Sequence, residues 1–311
     1  MSKDIKMTKV LLTGSTGFIG SALKARERFK DALTLTSLAK ENSSERHAFN
    51  LESCVDYFDI LDGIDVVIHL AGLAHDVKRS NHGDTEKYRL INTEGTLRLA
   101  QQSAESGVRR FIFLSTSKVF GENSHDRNPF THTDILNPQD VYAKSKVDAE
   151  IGVKSICEES GMEFVIIRPP LVYGPRVKGN FESLISSCKK RSILPIGLLK
   201  AKRSYVAVDN LNDLIEVCIS HPKARNEIFL VSDDIDKSIV DVARSISKAG
   251  KYKPKIINFP VSILRIVLKS IGKESLYNKI GLDMRLDISH TKKTLNWTPK
   301  YTMDLALERY L

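Results

Sequence analysis

The stretch Val10-Leu11-Leu12-Thr13-Gly14-Ser15-Thr16-Gly17-Phe18-Ile19-Gly20 constrains this chain most. A short apolar run ends in three glycines spaced three apart. The run reads as a buried β-strand, and the segment after it reads as the start of a helix. In such a turn, backbone N–H groups at a helix N-terminus face a pyrophosphate. Gly14 is expected to allow the tight turn and Gly17 to let phosphates approach the backbone. Gly20 is expected to keep no side chain between helix and sheet. Phe18 and Ile19 join this set as the first residues past the turn. An ordinary glycine-rich strand-to-helix turn has the same spacing, so the motif alone leaves two readings open.

Strand-like and helix-like segments alternate after it. Residues 10–13, 33–37, 66–70, 111–115 and 164–168 read as short buried strands. Residues 18–29, 85–106 and 138–160 read as helices. That alternation predicts an α/β fold with a doubly wound parallel sheet, and ligands bind beyond the carboxyl ends of such strands. From about residue 174 the pattern loosens, with helices expected over 211–220 and 239–248 and a strand over 228–231. The expected division is therefore 1–173 and 174–311.

Composition narrows the function classes. The chain has 311 residues, 41% of them hydrophobic, enough for one large or two modest cores. The most apolar late stretch, 261–271, carries Arg265 and Lys269 and is too short to span a bilayer. Its apolar residues Ile263, Leu264, Val267, Leu268 and Ile271 suit an amphipathic helix facing a core. Residues 1–9 are polar and lack the apolar centre of a signal peptide, so a cytoplasmic location without membrane insertion is expected. Four cysteines lack CxxC spacing, so neither a metal site nor a disulfide framework is expected. The net charge of +9 is dispersed, with tight clusters at Lys189-Lys190-Arg191 and over 200–203. Aromatics do not interleave with those clusters, which argues against a nucleic-acid partner.

Tyr142 and Lys146 stand four apart and share a helix face. A free phenol titrates near about 10, and a neighbouring ammonium lowers that value. Ahead of them the apolar run Phe111-Ile112-Phe113-Leu114 ends in Ser115-Thr116. Further motifs follow in order: His69-Leu70-Ala71-Gly72, Asn92-Thr93-Glu94-Gly95-Thr96, Val119-Phe120-Gly121, Arg168-Pro169-Pro170-Leu171-Val172-Tyr173-Gly174-Pro175 and Leu295-Asn296-Trp297-Thr298-Pro299. Over nearly its whole length the chain resembles the extended short-chain dehydrogenase/reductase family of nucleotide-sugar epimerases, dehydratases and ketoreductases.

The resemblance implies a Rossmann domain, a smaller C-terminal substrate-binding region and a nicotinamide cofactor. It implies that Tyr142 exchanges a proton with the sugar and that Lys146 tunes it and bonds the nicotinamide ribose. Thr116, three residues before Val119, matches the hydroxyl that orients the reacting oxygen. Ser115 becomes its neighbour near the cofactor, with Ser117 behind it. Leu70, Ala71 and Gly72 match the turn under the ribose and nicotinamide half, and Asn50-Leu51 stands at the adenine contact. Asn92 matches a family asparagine at a helix start, where an N-cap role competes. Asn180 matches a contact to the sugar diphosphate. Arg203 matches a diphosphate clamp, for which arginine's planar fork is suited. The helices over 85–106 and 138–160 match those that pair in the family's homodimers.

One departure bears on the cofactor. Family members that use NAD carry an acid just after the second strand, to hold the ribose hydroxyls. Here Thr36-Ser37-Leu38-Ala39-Lys40 has none. Lys40 or Arg46 could pair with a ribose 2′-phosphate, so of NAD and NADP the latter is slightly favoured. A net reductase must exchange its cofactor, which tilts the expectation toward a ketoreductase. Likeness of Leu230-Val231-Ser232-Asp233-Asp234 to O-antigen enzymes points the same way. The expected reaction takes UDP-2-acetamido-2,6-dideoxy-4-hexulose to UDP-N-acetylquinovosamine for lipopolysaccharide. The alternative is 4-epimerisation of UDP-glucose or UDP-N-acetylglucosamine. A non-catalytic NAD(P)-sensing protein is the reading of another class, and the presence of both Tyr142 and Lys146 speaks against it. A dehydratase fits less well, because Ser117-Lys118 replaces the Asp-Glu pair that eliminates water.

Overall fold

In Val10–Thr13 (β1) the apolar Leu11 and Leu12 and polar Thr13 are buried and Val10 is half-buried, as befits a central parallel strand. A computed structural model of the chain describes residues 8–29, 32–36, 47–48, 51, 56–73, 82–124 and 127–311, and pairs β1 on both edges. One neighbour is Leu33–Thr36 (β2), which pairs on with His47–Ala48 (β3). The other is Val66–His69 (β4), followed by Arg110–Leu114 (β5) and Glu163–Arg168 (β6). Glu227–Leu230 (β11) completes a seven-stranded sheet of order β11-β6-β5-β4-β1-β2-β3. Every pairing from β1 to β6 is parallel. The chain winds outward from β1 in one direction and then returns to build in the other. The switch point therefore lies between β1 and β4, where such sheets open a crevice.

These strands belong to a unit formed by Met1–Val119, Pro138–Arg168 and Ile215–Phe229. Its helices are Phe18–Lys24 (α1), Phe58–Leu61 (α2), His82–Tyr88 (α3), Gly95–Glu105 (α4) and Val141–Ser160 (α5). The helix expected over 18–29 is interrupted, and only a short turn, Glu27–Phe29, follows α1. The helix expected over 85–106 contains a wider turn, Arg89–Glu94, with π-helical bonding between α3 and α4. Core side chains include Leu11, Val67, Leu99, Phe111, Phe113, Val153 and Ile166. Helices α4 and α5 approach so closely that a Cβ on Gly152 would lie 2.4 Å from Leu97 Cδ2.

The second unit comprises Phe120–Asn137, Pro169–Leu214 and Leu230–Leu311. It is built on three two-stranded sheets. Leu171–Tyr173 (β7) pairs in parallel with Tyr205–Ala207 (β10), and Ile193–Leu194 (β8) in parallel with Lys255–Ile256 (β13). Lys202–Arg203 (β9) runs antiparallel to Lys237–Ser238 (β12). Its helices are Asn180–Lys189 (α6), the first part of Val208–Ser220 (α7), Ile239–Ala249 (α8), Val261–Ser270 (α9), Glu274–Gly281 (α10), Ser289–Leu295 (α11) and Met303–Tyr310 (α12). Buried Asp233 knots this unit together. It accepts from the Tyr173 hydroxyl at 2.6 Å, the Ala207 N–H at 2.8 Å and Asn210 Nδ2 at 2.7 Å. Burial still pushes its carboxyl up to about 6.

Helix α9 departs from expectation. Leu264 and Leu268 are buried, but Ile263, Val267 and Ile271 are exposed, together with Ile266. The periodicity marks the apolar stripe and does not say that a core lies against all of it. No helix among the described residues is long and apolar enough to cross a membrane. Cys157, Cys188 and Cys218 are free and buried, and Cys54 lies outside the described residues.

Candidate active site

The glycine turn is closed by contacts that no side chain could share. Gly14 has φ +72°, and a Cβ there would lie 2.7 Å from the Ala71 nitrogen. The Gly17 N–H donates to the Gly14 carbonyl at 3.0 Å, which folds the turn back on itself. A Cβ on Gly20 would lie 2.1 Å from that same carbonyl oxygen. Gly20 therefore brings α1 against the turn, whereas the sequence placed its contact with the sheet. Phe18 and Ile19 follow as the first residues of α1, both half-buried. This cradle of bare backbone fits a dinucleotide phosphate.

Beside it, the loop after β4 carries Leu70, Ala71 and Gly72, and buried polar groups fix that loop. The His69 ring lies between two hydroxyls, Nδ1 2.7 Å from Thr13 Oγ1 and Nε2 3.0 Å from Thr96 Oγ1. Thr13 Oγ1 also accepts from the Ala71 N–H at 3.2 Å. Burial, and then the Lys146 charge, pull the imidazole down to about 3, so it is neutral. Asn92 holds the next residue from both sides. Its Oδ1 accepts from the Leu73 N–H at 2.8 Å, and its Nδ2 donates to the Leu73 carbonyl at 3.1 Å and to Ser145 Oγ at 3.1 Å. Asn92 is thus no helix N-cap. It sits inside the π turn, a feature common at functional sites, and ties the loop to α5.

Helix α5 starts at Asp140, whose Oδ1 caps it by accepting from the Ala143 N–H at 2.7 Å. Asp140 Oδ2 accepts from Lys118 Nζ at 2.6 Å. The cap sets Tyr142 in the first turn, with Lys146 and Glu150 following on the same face. The Thr116 hydroxyl acts on the Tyr142 phenol and draws its pKa down. Lys146 Nζ lies 4.2 Å above the Phe113 ring, and a Cβ on Gly72 would be 3.8 Å from it. Burial outweighs the Thr116 hydroxyl and pushes the Tyr142 phenol up to about 12, with Asp140 and Tyr88 adding to it. Burial also pulls Lys146 down to about 7, against the Glu150 charge. The sequence expected Lys146 to lower Tyr142. The structure reverses the direction, because burial of the phenol dominates.

Ser115 is buried just past the end of β5. Its hydroxyl donates to Glu150 Oε1, and its N–H donates to the Ile167 carbonyl at 2.8 Å. Glu150 also receives Arg168 Nη2 at 2.6 Å and Nε at 3.0 Å, and both side chains are buried. Arg168 stood in a sequence motif without a role, and Glu150 was not singled out. Its position four residues past Lys146 was the signal available. Ser117 is buried in the short turn after Thr116.

Leu51 lies in the core, against Gly95, where a Cβ would come within 2.7 Å of it. Asn50, Ser37, Leu38, Lys40 and Arg46 lie outside the described residues. In the second unit, Asn180 is exposed as the first residue of α6, next to Phe181, which stacks on Tyr173 at 5.2 Å. Arg203 is half-buried. Its Nη1 donates to the Asn278 carbonyl at 3.3 Å and to the Leu282 carbonyl at 3.0 Å. Burial lowers its guanidinium below the usual range. Among the described residues, no group of three or more His, Cys, Asp or Glu side chains could hold a metal ion. A cleft lined by Arg109, Glu163 and Arg225 lies where β5 and β6 begin, away from the strand ends that carry the glycine turn.

Known proteins resemble this chain in sequence and in fold. The family model described as the NAD dependent epimerase/dehydratase family matches residues 10–232. A Vibrio cholerae protein named UDP-glucose 4-epimerase is 40% identical over 313 residues, covering 96% of this chain and 94% of that one. The structure of UDP-glucose 4-epimerase with UDP-glucose from Thermotoga maritima superposes with a TM-score of 0.75 at 20% identity, covering 97% of each chain. That of RMD from Pseudomonas aeruginosa complexed with NADPH gives 0.74 at 19% identity, covering 97% of this chain and 98% of that one. The two structures share its fold.

Proposed function

Because this chain belongs to the NAD dependent epimerase/dehydratase family, we propose that it performs reversible redox chemistry at C4 of a UDP-linked hexose, as a 4-epimerase. The observation that carries the proposal is buried Tyr142, one helical turn from buried Lys146 and acted on by the Thr116 hydroxyl, in the unit whose glycine turn leaves no room for side chains at Gly14 and Gly20. The Vibrio cholerae relative supports the choice of epimerase. When bound, the nicotinamide supplies a hydride acceptor that can return the hydride.

Thr116 orients the C4 oxygen and Tyr142 exchanges its proton. A phenol held near 12 keeps its proton at neutral pH and serves the returning half of the cycle, donating it to the 4-keto oxygen. The opening oxidation of the C4 hydroxyl requires Tyr142 to be deprotonated first, its proton passing to Lys146. Lys146, near 7, can hold or release a proton in the same range, as a relay requires. We assign Asn180 and Arg203 to the sugar diphosphate, with a UDP-sugar as the proposed partner. The enzyme is proposed to act in the cytoplasm as a homodimer through α4 and α5, the latter of which carries exposed Ile151.

A second reading has its own support. The missing acid in Thr36-Ser37-Leu38-Ala39-Lys40 favours NADP and a net 4-ketoreductase of UDP-2-acetamido-2,6-dideoxy-4-hexulose, in O-antigen precursor synthesis. One pair of assays separates the two. Interconversion of UDP-glucose or UDP-N-acetylglucosamine with its C4 epimer, without net change at 340 nm, supports the epimerase. Stoichiometric loss of NADPH or NADH absorbance with the 4-keto sugar overturns it in favour of the reductase.

A further inference from the structure

Helix α9 leaves an apolar stripe in solvent. Ile263, Ile266, Val267 and Ile271 recur at the spacing of one helix face, with Ile266 66% exposed and Ile271 57%. Scattered surface isoleucines need no explanation, whereas a contiguous stripe does. Lys269 stands at the stripe's edge and Lys273 follows it, both exposed. The strand leading into α9, β13, pairs with β8, where Ile193 is also exposed. The charges of this region are of nearly one sign. From 248 to 279 every charged residue is a cation except Glu274, and from 189 to 203 all are cations. Glu274 lies 3.9 Å from Lys269.

We propose that α9, with the β8–β13 ribbon, docks this protein on an anionic lipid surface. An apolar helix face with a basic rim lies in the plane of the headgroups, buries its aliphatic side chains and keeps its lysines at the phosphates. The rim argues for lipid over a second copy of the chain, because an isologous contact through this face would set cations against cations. The net charge of +9 adds a long-range attraction to the same surface.

The test is co-sedimentation of the full-length protein with phosphatidylcholine vesicles and with vesicles containing roughly one-third phosphatidylglycerol. The protein is expected to bind the anionic vesicles only, and less as salt is raised. Neutralising Lys269 and Lys273 together (Lys269→Gln, Lys273→Gln) should lower partition roughly 25-fold, at about fivefold per cation. The pair Ile263→Ser and Ile266→Ser should lower it by at least roughly tenfold. Retained turnover of both variants would show that they fold. Failure of the unaltered protein to bind anionic vesicles at low salt would overturn the proposal, as would undiminished binding by both pairs of variants. Light scattering that finds an oligomer dissociated by the isoleucine pair would place a second copy on this face and overturn it as well.

Discussion

In the first unit, the polar groups near the glycine turn are each gripped from several sides. His69 lies between Thr13 and Thr96, Asn92 holds Leu73 by both its N–H and its carbonyl, and Ser115 and Arg168 converge on Glu150. In the second unit, the two residues assigned to the sugar diphosphate are held more simply. Asn180 is exposed at a helix start, and Arg203 gives Nη1 to two carbonyls near the end of α10. Buried, fully partnered polar groups fix geometry, and proton transfer tolerates little misplacement. Recognition of a flexible diphosphate asks less of each contact. Under the proposed function, this contrast matches a division in which the first unit carries the proton chemistry and the second contributes to recognition of the substrate.

Replacing Tyr142 by Phe should break the chemical side of this contrast most severely. Turnover is expected to fall about 10²- to 10⁴-fold, with KM and circular dichroism little changed. Unchanged activity in a steady-state assay would remove Tyr142 from the reaction and favour an NAD(P)-sensing role.

The next largest effect concerns the grip itself. Glu150→Gln leaves the Arg168 guanidinium buried without its carboxylate and should cost about 3–5 kcal/mol in urea unfolding. Glu150→Leu combined with Arg168→Met should recover most of that loss, since apolar residues need no partner. If the single variant is as stable as the parent, the buried pair does not hold the region behind Lys146.

Arg203→Ala sharpens the other half of the comparison. Loss of a charged hydrogen bond to diphosphate should raise KM about ten- to a hundredfold and leave kcat within about twofold. A fall in kcat with KM unchanged would move Arg203 into the chemical step.

The smallest effect is a slope. The folded His69 value of about 3 lies below its ordinary 6.5. Between those values the unfolded chain binds the extra proton, so stability falls as pH drops through the window. His69→Gln should flatten the stability–pH curve there by about 1.4 kcal/mol per pH unit. An unaltered slope would mean that the ring titrates normally.

The parts of this site legible in sequence are those written in local spacing. The three glycines and the strand before them define a turn, and Tyr142 and Lys146 share a helix face because they stand four apart. The alternation of apolar runs and helical patterns likewise indicates the parallel sheet. What sequence left unread depends on distant partners. Asn92 looks like a cap until Leu73, on another loop, is seen to occupy its amide. Glu150 and Arg168 are 18 residues apart and meet only because β6 lies under α5. The direction of the Tyr142 shift follows burial, which spacing does not encode. Helix α9 shows the same limit, since a periodic stripe indicates an apolar face without saying what covers it.

The most direct test of the central claim follows the hydrogen at C4. UDP-glucose carrying deuterium at C4 would be incubated with the protein and the products read by NMR and mass spectrometry. Reversible hydride transfer at C4 predicts UDP-galactose that keeps its deuterium at C4, formed with a primary isotope effect and not formed by the Tyr142→Phe variant. No conversion by the unaltered protein, or deuterium lost to solvent, would contradict the account.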